Sequence, residues 1–261
     1  MLLAAQERVA APGETLQRYY LALFDSFGPQ GWWPARTRLE VILGAILTQN
    51  TTWRNASLAI KELKKAGLLS WAALRDASTA ALEACVRPAG FYRQKARTIR
   101  GFVEWLQARY SGSLDAFFAL EPSEGRKQLL RLHGIGPETT DAILLYAGRQ
   151  ATFVADAYTR RVLARHGLIP DSADYESARQ FLHQHLPQDQ AMFNEFHALL
   201  VEVAKRHCRK QVADCGNCAL RHFLADTNPA STFEVNGPAE TKASPQSSQR
   251  LTESCRLSEP L

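Results

Sequence analysis

The stretch Leu132–Ala147 reads LHGIGPETTDAILLYA, and its interpretation decides the fold. Just before it, SEGRKQLLRL (123–132) reads as a helix. After it, DAILLYAG (141–148) returns apolar residues at three- and four-residue intervals, the period of an amphipathic helix. Between the two helices stand Gly134 and Gly136, which let the backbone turn tightly and expose amide N–H groups. Those amides meet the positive end of the following helix, and together they form an anion site that needs no cationic side chain. Ile135, between the glycines, can plug the hairpin into the core, and Thr139 is small enough for close helix packing.

Outward from this hairpin the chain is helical almost throughout. ETLQRYYLALFDSF (14–27), RTRLEVILGAILTQ (36–49), NASLAIKELKKAG (55–67), YRQKARTIRGFVEWLQARY (92–110), AYTRRVLARHG (157–167) and FNEFHALLVEVAKRH (193–207) all carry the helical period. Strand signals are nearly absent and the connections are short, which predicts a compact all-α bundle. Of the 261 residues, 46% are hydrophobic, enough for a real core. No apolar run approaches the ~20 residues that span a bilayer. The N-terminus is too polar for a secretory leader, so the expectation is a soluble, cytoplasmic protein. From Asp226 the chain is rich in Ser, Thr, Pro and Glu, and 226–261 is expected to be a disordered tail, with Cys255 a bystander in it. The net charge is +5 overall and +7 over residues 1–225, a balance that permits a polyanionic partner.

The full pattern L-x-G-I-G-P-x-T-x-x-A-I-L matches the helix-hairpin-helix DNA-binding motif, and FVADAYTRRV (153–162) follows it with Asp156 just before a new helix. This arrangement resembles the endonuclease III superfamily of DNA glycosylases. LEVILGAILTQNTTW resembles that family's early helix ending in a glutamine loop, and RPAGFYRQKA its Gly-hydrophobic-Tyr-x-x-Lys-Ala segment. The likeness runs from about Glu14 to Leu224. WWP, TQNTTW and GIGPETTDAILLYA look most like the 3-methyladenine glycosylase branch. The resemblance implies a glycosylase domain over 12–225, with one lobe at about 30–150 and the other formed by 12–29 and 151–225. It implies double-stranded DNA with a damaged base as partner, lying across the cleft between the lobes, and a monomeric enzyme with no membrane partner.

In the bifunctional members of the family a lysine stands where this chain has Glu138, 18 residues before Asp156. A carboxylate cannot form an imine, so Glu138 points to hydrolysis without strand cleavage. Breaking an N-glycosidic bond builds positive charge on the sugar. An ionised Asp156 can stabilise that charge and orient or deprotonate water. Asp156 also suits a helix N-cap, and the two roles are compatible. Asp141 is expected to be a solvated helix residue.

The base must leave the stack to be cut. The resemblance implies that Gln49 fills the gap, that Phe91 is a wedge on the other strand, and that Trp32 and Trp53 sandwich the flipped base. Trp33 is expected in the core or at the lobe junction. Purines methylated at N3 or N7 carry ring charge that a tryptophan face attracts. The expected reaction is therefore hydrolytic release of an alkylated purine. The rivals are a glycosylase/lyase for oxidised pyrimidines using another lysine, and a non-catalytic DNA-binding protein.

Cys208-x6-Cys215-x2-Cys218 reproduces three ligands of the family's [4Fe–4S] loop, but the fourth position holds Leu224. His222 or His207 could supply a nitrogen, zinc could take a mixed site, or the site has decayed. A cluster here would pin a basic loop, with Arg206, Arg209 and Lys210, against DNA phosphate.

Overall fold

The computed structural model describes residues 11–224; the expected tail and Cys255 lie outside the described residues. Among the described residues twelve α-helices follow in order: α1 (Pro12–Phe27), α2 (Arg38–Leu47), α3 (Trp53–Lys65), α4 (Trp71–Asp76), α5 (Thr79–Val86), α6 (Tyr92–Tyr110), α7 (Leu114–Phe118), α8 (Pro122–Leu130), α9 (Pro137–Ala142), α10 (Ala157–Arg165), α11 (Tyr175–His185) and α12 (Gln190–Arg206). α9 runs on into a π-helical turn over Ile143–Ala147. No helix among the described residues is long and apolar enough to cross a membrane.

Most helix starts are legible as caps. Thr37, Thr52, Ser70, Ser78, Ser113, Asp156, Asp174 and Asp189 each accept a backbone N–H of the first turn, each such cap being worth about 1 kcal/mol. The short helices α4, α5 and α7 are too brief to show a period, and these caps are their only clear sequence signal.

Two packing sets result. α2, α3 and α5 to α9 pack in succession, with α4 on α6 and with α2 laid on the π-helical turn. α1 packs on α11 and α12, and α10 on α12, so the first helix joins the last ones. α2 is buried on nearly every face, Leu39 and Val41 to Leu47 all being in the core. This is why its sequence, RLEVILGAIL, is apolar almost throughout rather than on one stripe.

Asp141 departs from expectation. It is fully buried, not solvated. Its carboxylate receives Arg126 Nε (2.9 Å) and Nη2 (3.2 Å), Thr152 Oγ1 (3.1 Å) and Tyr175 Oη (2.8 Å). Arg126 also reaches Glu176 on α11 at 2.7 Å. The cluster ties α9 to α8 and α11. Removing one partner of such a buried pair leaves an uncompensated charge and costs about 3–5 kcal/mol. The helical period could not reveal it, because Asp141 occupies an inward position usually held by an apolar residue.

Candidate active site

The hairpin between α8 and α9 depends on Gly134. Its φ is +78°, and a Cβ there would lie 2.1 Å from Thr98 Oγ1 on α6, so both the conformation and the close approach demand glycine. Gly136 differs: φ is −91° and a Cβ would meet open space. Ile135 is buried, as expected of a plug.

Gln49 stands just beyond α2 and donates from Nε2 to Gly134 O (2.9 Å) and Thr139 Oγ1 (2.8 Å). Phe91 is 65% exposed at a left-handed backbone position, φ +45°, so it projects rather than packing as core. The two lie at the ends of neighbouring segments that Lys95 joins. The Lys95 ammonium is buried and donates to Leu47 O (2.9 Å) and Ala89 O (2.7 Å). Burial without a counter-charge lowers its pKa.

Behind Gln49 opens a cavity of about 390 Å³ that gathers Trp32, Gln49, Trp53, Glu138, Thr139 and Asp156 of the expected site residues, but neither Phe91 nor the cysteines. α9 and the π-helical turn supply Glu138, Ala142 and Tyr146; α12 supplies His197, Val201 and Lys205. Trp32, Trp33 and Trp53 form an aromatic wall, and Asp156 reaches the cavity from the cap of α10. Gly44 makes the wall possible, since a Cβ there would press on Trp33 (3.2 Å) and Trp53 (3.3 Å). Trp33 belongs to the wall and stands edge-on to both others, with ring centroids 5.7 Å from Trp32 and 5.2 Å from Trp53.

The two carboxyl groups of the cavity are pushed in opposite directions. Burial raises the Asp156 pKa, but the facing His197 ring and the Thr159 N–H (2.8 Å) outweigh it and leave the group below its ordinary value. Its side chain is 14% exposed. Glu138 keeps solvent contact at the mouth, yet enough protein surrounds its carboxyl to raise the pKa, and the Asp156 charge adds to the effect. Asp156 is thus the ionised partner and Glu138 the more readily protonated one.

Sequence reasoning missed His197, Tyr146 and Lys205. The signal was present: 138, 142 and 146 on one element and 197, 201 and 205 on another recur every fourth residue, which marks one face of each. That these two faces oppose each other is not written in either helix.

The cysteine loop is held by α10. Arg161 Nε donates to Cys208 O (2.7 Å), and Arg165 donates to Cys208 Sγ (3.3 Å), Arg209 O (2.7 Å) and Lys210 O (3.0 Å). His222 Nε2 accepts from Arg221 (3.0 Å), and His207 stacks on Phe27. Among the described residues no three His, Cys, Asp or Glu side chains gather as a metal would need. Three thiols with an alkyl chain at position 224 do not fit a four-thiolate cluster.

A helix-hairpin-helix beside a carboxylate-floored cavity defines a class, and comparison with known proteins agrees. The family model of HhH-GPD superfamily base excision DNA repair proteins matches residues 43–188, and the chain belongs to that superfamily. It is a base excision repair DNA glycosylase. A Methanocaldococcus jannaschii protein, named provisionally as a DNA repair glycosylase, is 40% identical over 211 residues, covering 80% of this chain and 96% of that one. Endonuclease III of Sulfolobus acidocaldarius is 26% identical over 189 residues, covering 72% and 82%. Among solved structures, H. pylori 3-methyladenine DNA glycosylase MagIII bound to 1,N6-ethenoadenine superposes with a TM-score of 0.64 at 28% identity, covering 76% of this chain and 98% of that one. A non-covalent endonuclease III–DNA complex superposes with a TM-score of 0.70 at 19% identity, covering 84% and 97%, a likeness of fold.

Proposed function

We propose that this glycosylase releases an alkylated purine by hydrolysis, without cutting the strand. The observation that carries this reading is the pairing in the cavity: an ionised Asp156 and, where an attacking amine would be needed, Glu138. In the proposed reaction the duplex backbone rests on the hairpin amides around Gly134 and Gly136. Gln49 and Phe91 occupy the space vacated as the base turns out. The base enters the aromatic cavity beside Trp32 and Trp53, where stacking holds it. As the glycosidic bond lengthens, positive charge on the sugar is met by the Asp156 carboxylate, which then orients the attacking water. A base that is already cationic leaves readily, so the site requires no strong acid on the base side.

The likeness to MagIII supports a purine pocket, and the aromatic wall supports a flat, π-deficient base. Duplex DNA treated with dimethyl sulfate should release free 3-methyladenine on incubation. If it yields no free base while thymine glycol DNA is processed, the alkylation reading is wrong.

A second reading has one specific observation in its favour. Lys205 lines the same cavity, with its ammonium 5.7 Å from the centre of the Trp32 ring. It is the amine a glycosylase/lyase mechanism would have to use here. Its place on Trp32 favours an aromatic-bound cation over a nucleophile.

A further inference from the structure

One buried histidine stands between the aromatic wall and the catalytic carboxylate. His197, on α12, is 4% exposed. Its Nδ1 lies 2.6 Å from Tyr146 Oη, and its Nε2 lies 3.5 Å from Asp156 Oδ2 without completing a hydrogen bond to it or to any other group among the described residues. Burial raises the Tyr146 pKa well above its ordinary value, so the hydroxyl keeps its proton.

The direction of this chain follows from the atoms. An ionised carboxylate can only accept, so the His197 nitrogen that faces it, Nε2, carries the ring proton, and Nδ1 accepts from the Tyr146 hydroxyl. In the other tautomer a lone pair would face the carboxylate and repel it. A satisfied core histidine is the blander account, but it does not explain why Nε2 turns toward a cavity-lining carboxylate.

We infer that His197 is a positioning residue for the glycosidic reaction: with its tautomer set by Tyr146, its Nε2–H holds the Asp156 carboxylate ionised and aimed at the sugar. This rests on the reading of Asp156 as the catalytic carboxylate. The 3.5 Å separation is long for a hydrogen bond, as such contacts are in the free enzyme, and it closes when substrate charge fixes Asp156.

The test uses the full chain and single-turnover release of 3-methyladenine from dimethyl sulfate-treated duplex, measured against pH. His197→Leu should lower the rate at least about tenfold and move the acid limb of the profile to higher pH, because Asp156 loses its donor. His197→Gln, whose amide N–H can replace Nε2–H, should recover most of the rate and return the limb. Tyr146→Phe should show the same limb shift in smaller measure. The other ionisable groups near Asp156 are Glu138 on α9, Tyr158 and Arg160 on α10 and Lys205 on α12, and none of these variants changes them. A folded His197→Leu with a slowed rate but an unmoved limb, or a Gln variant no better than Leu, overturns the inference. If His197→Leu does not fold, an unmoved limb in Tyr146→Phe overturns it. Asp156→Asn is run alongside: activity within a few-fold of wild type there would bring down the reading of Asp156 itself, whereas an inactive Asn variant with unmoved limbs removes only the role of His197.

Discussion

Gln49 donates to the Gly134 carbonyl at 2.9 Å, so the end of α2 and the DNA-binding hairpin are one hydrogen-bonded unit. The same amide nitrogen reaches Thr139 Oγ1 at 2.8 Å. A residue assigned by resemblance to filling the gap in DNA thus also braces the hairpin in the free protein. Gln49→Glu should be worse than Gln49→Ala, because it sets a carboxylate against a carbonyl oxygen. We expect the Glu variant to lose both duplex affinity and thermal stability, the Ala variant mainly base release. Fluorescence anisotropy with duplex DNA and thermal melting separate the two; equal affinities would remove the bracing role.

Asp156→Asn should abolish base release while leaving duplex binding intact. Asparagine keeps the cap to Thr159 N in outline and loses the charge that meets the developing cation. A fall of at least about a hundredfold in single-turnover rate is expected from losing one electrostatic stabiliser. The check is release of methylated bases at saturating enzyme.

Borohydride added during turnover should trap no covalent protein–DNA adduct. Glu138 stands where an amine would be required, and Lys205 is the amine of the cavity. An adduct seen on a denaturing gel, and lost in Lys205→Met, would identify this lysine as a nucleophile and the enzyme as bifunctional.

The hairpin glycines should separate folding from binding. Gly136→Val introduces a side chain into open space at a φ that any residue adopts, so it should fold and melt near wild type while weakening all duplexes alike. Gly134→Val faces both a left-handed φ and Thr98 at 2.1 Å, and should lower the melting temperature sharply. Unchanged DNA affinity in folded Gly136→Val would refute phosphate contact by the hairpin.

Stability should fall with acid partly through His166. Its Nδ1 lies 2.8 Å from Tyr19 Oη, and burial lowers its pKa from 6.5 to about 4. Between those values the unfolded chain binds the proton and the folded one does not. The contribution is therefore complete above pH 6.5 and is lost as pH falls toward 4, amounting to about 3 kcal/mol. His166→Gln should flatten the pH dependence of the unfolding free energy in that window; an identical slope in denaturant titrations would show that other groups carry it.

Much of this protein is written locally. The hairpin is legible because two glycines and a proline between periodic helices leave few other conformations. α6 spans the residues its apolar period predicts, and Asp156 is legible because an N-cap needs only its own helix. The glutamate at position 138 is likewise visible in the sequence wherever the helix lies. The buried role of Asp141 was not legible, because its partners Arg126, Thr152 and Tyr175 come from three other segments. The same holds for His197. It is one polar residue on an apolar face of α12, and only packing brings it to Tyr146, 51 positions away, and to Asp156. Local periodicity determines which face of a helix turns inward. Which two inward faces meet, and so which lone polar groups become a site, depends on contacts between distant segments, and those only the tertiary structure decides.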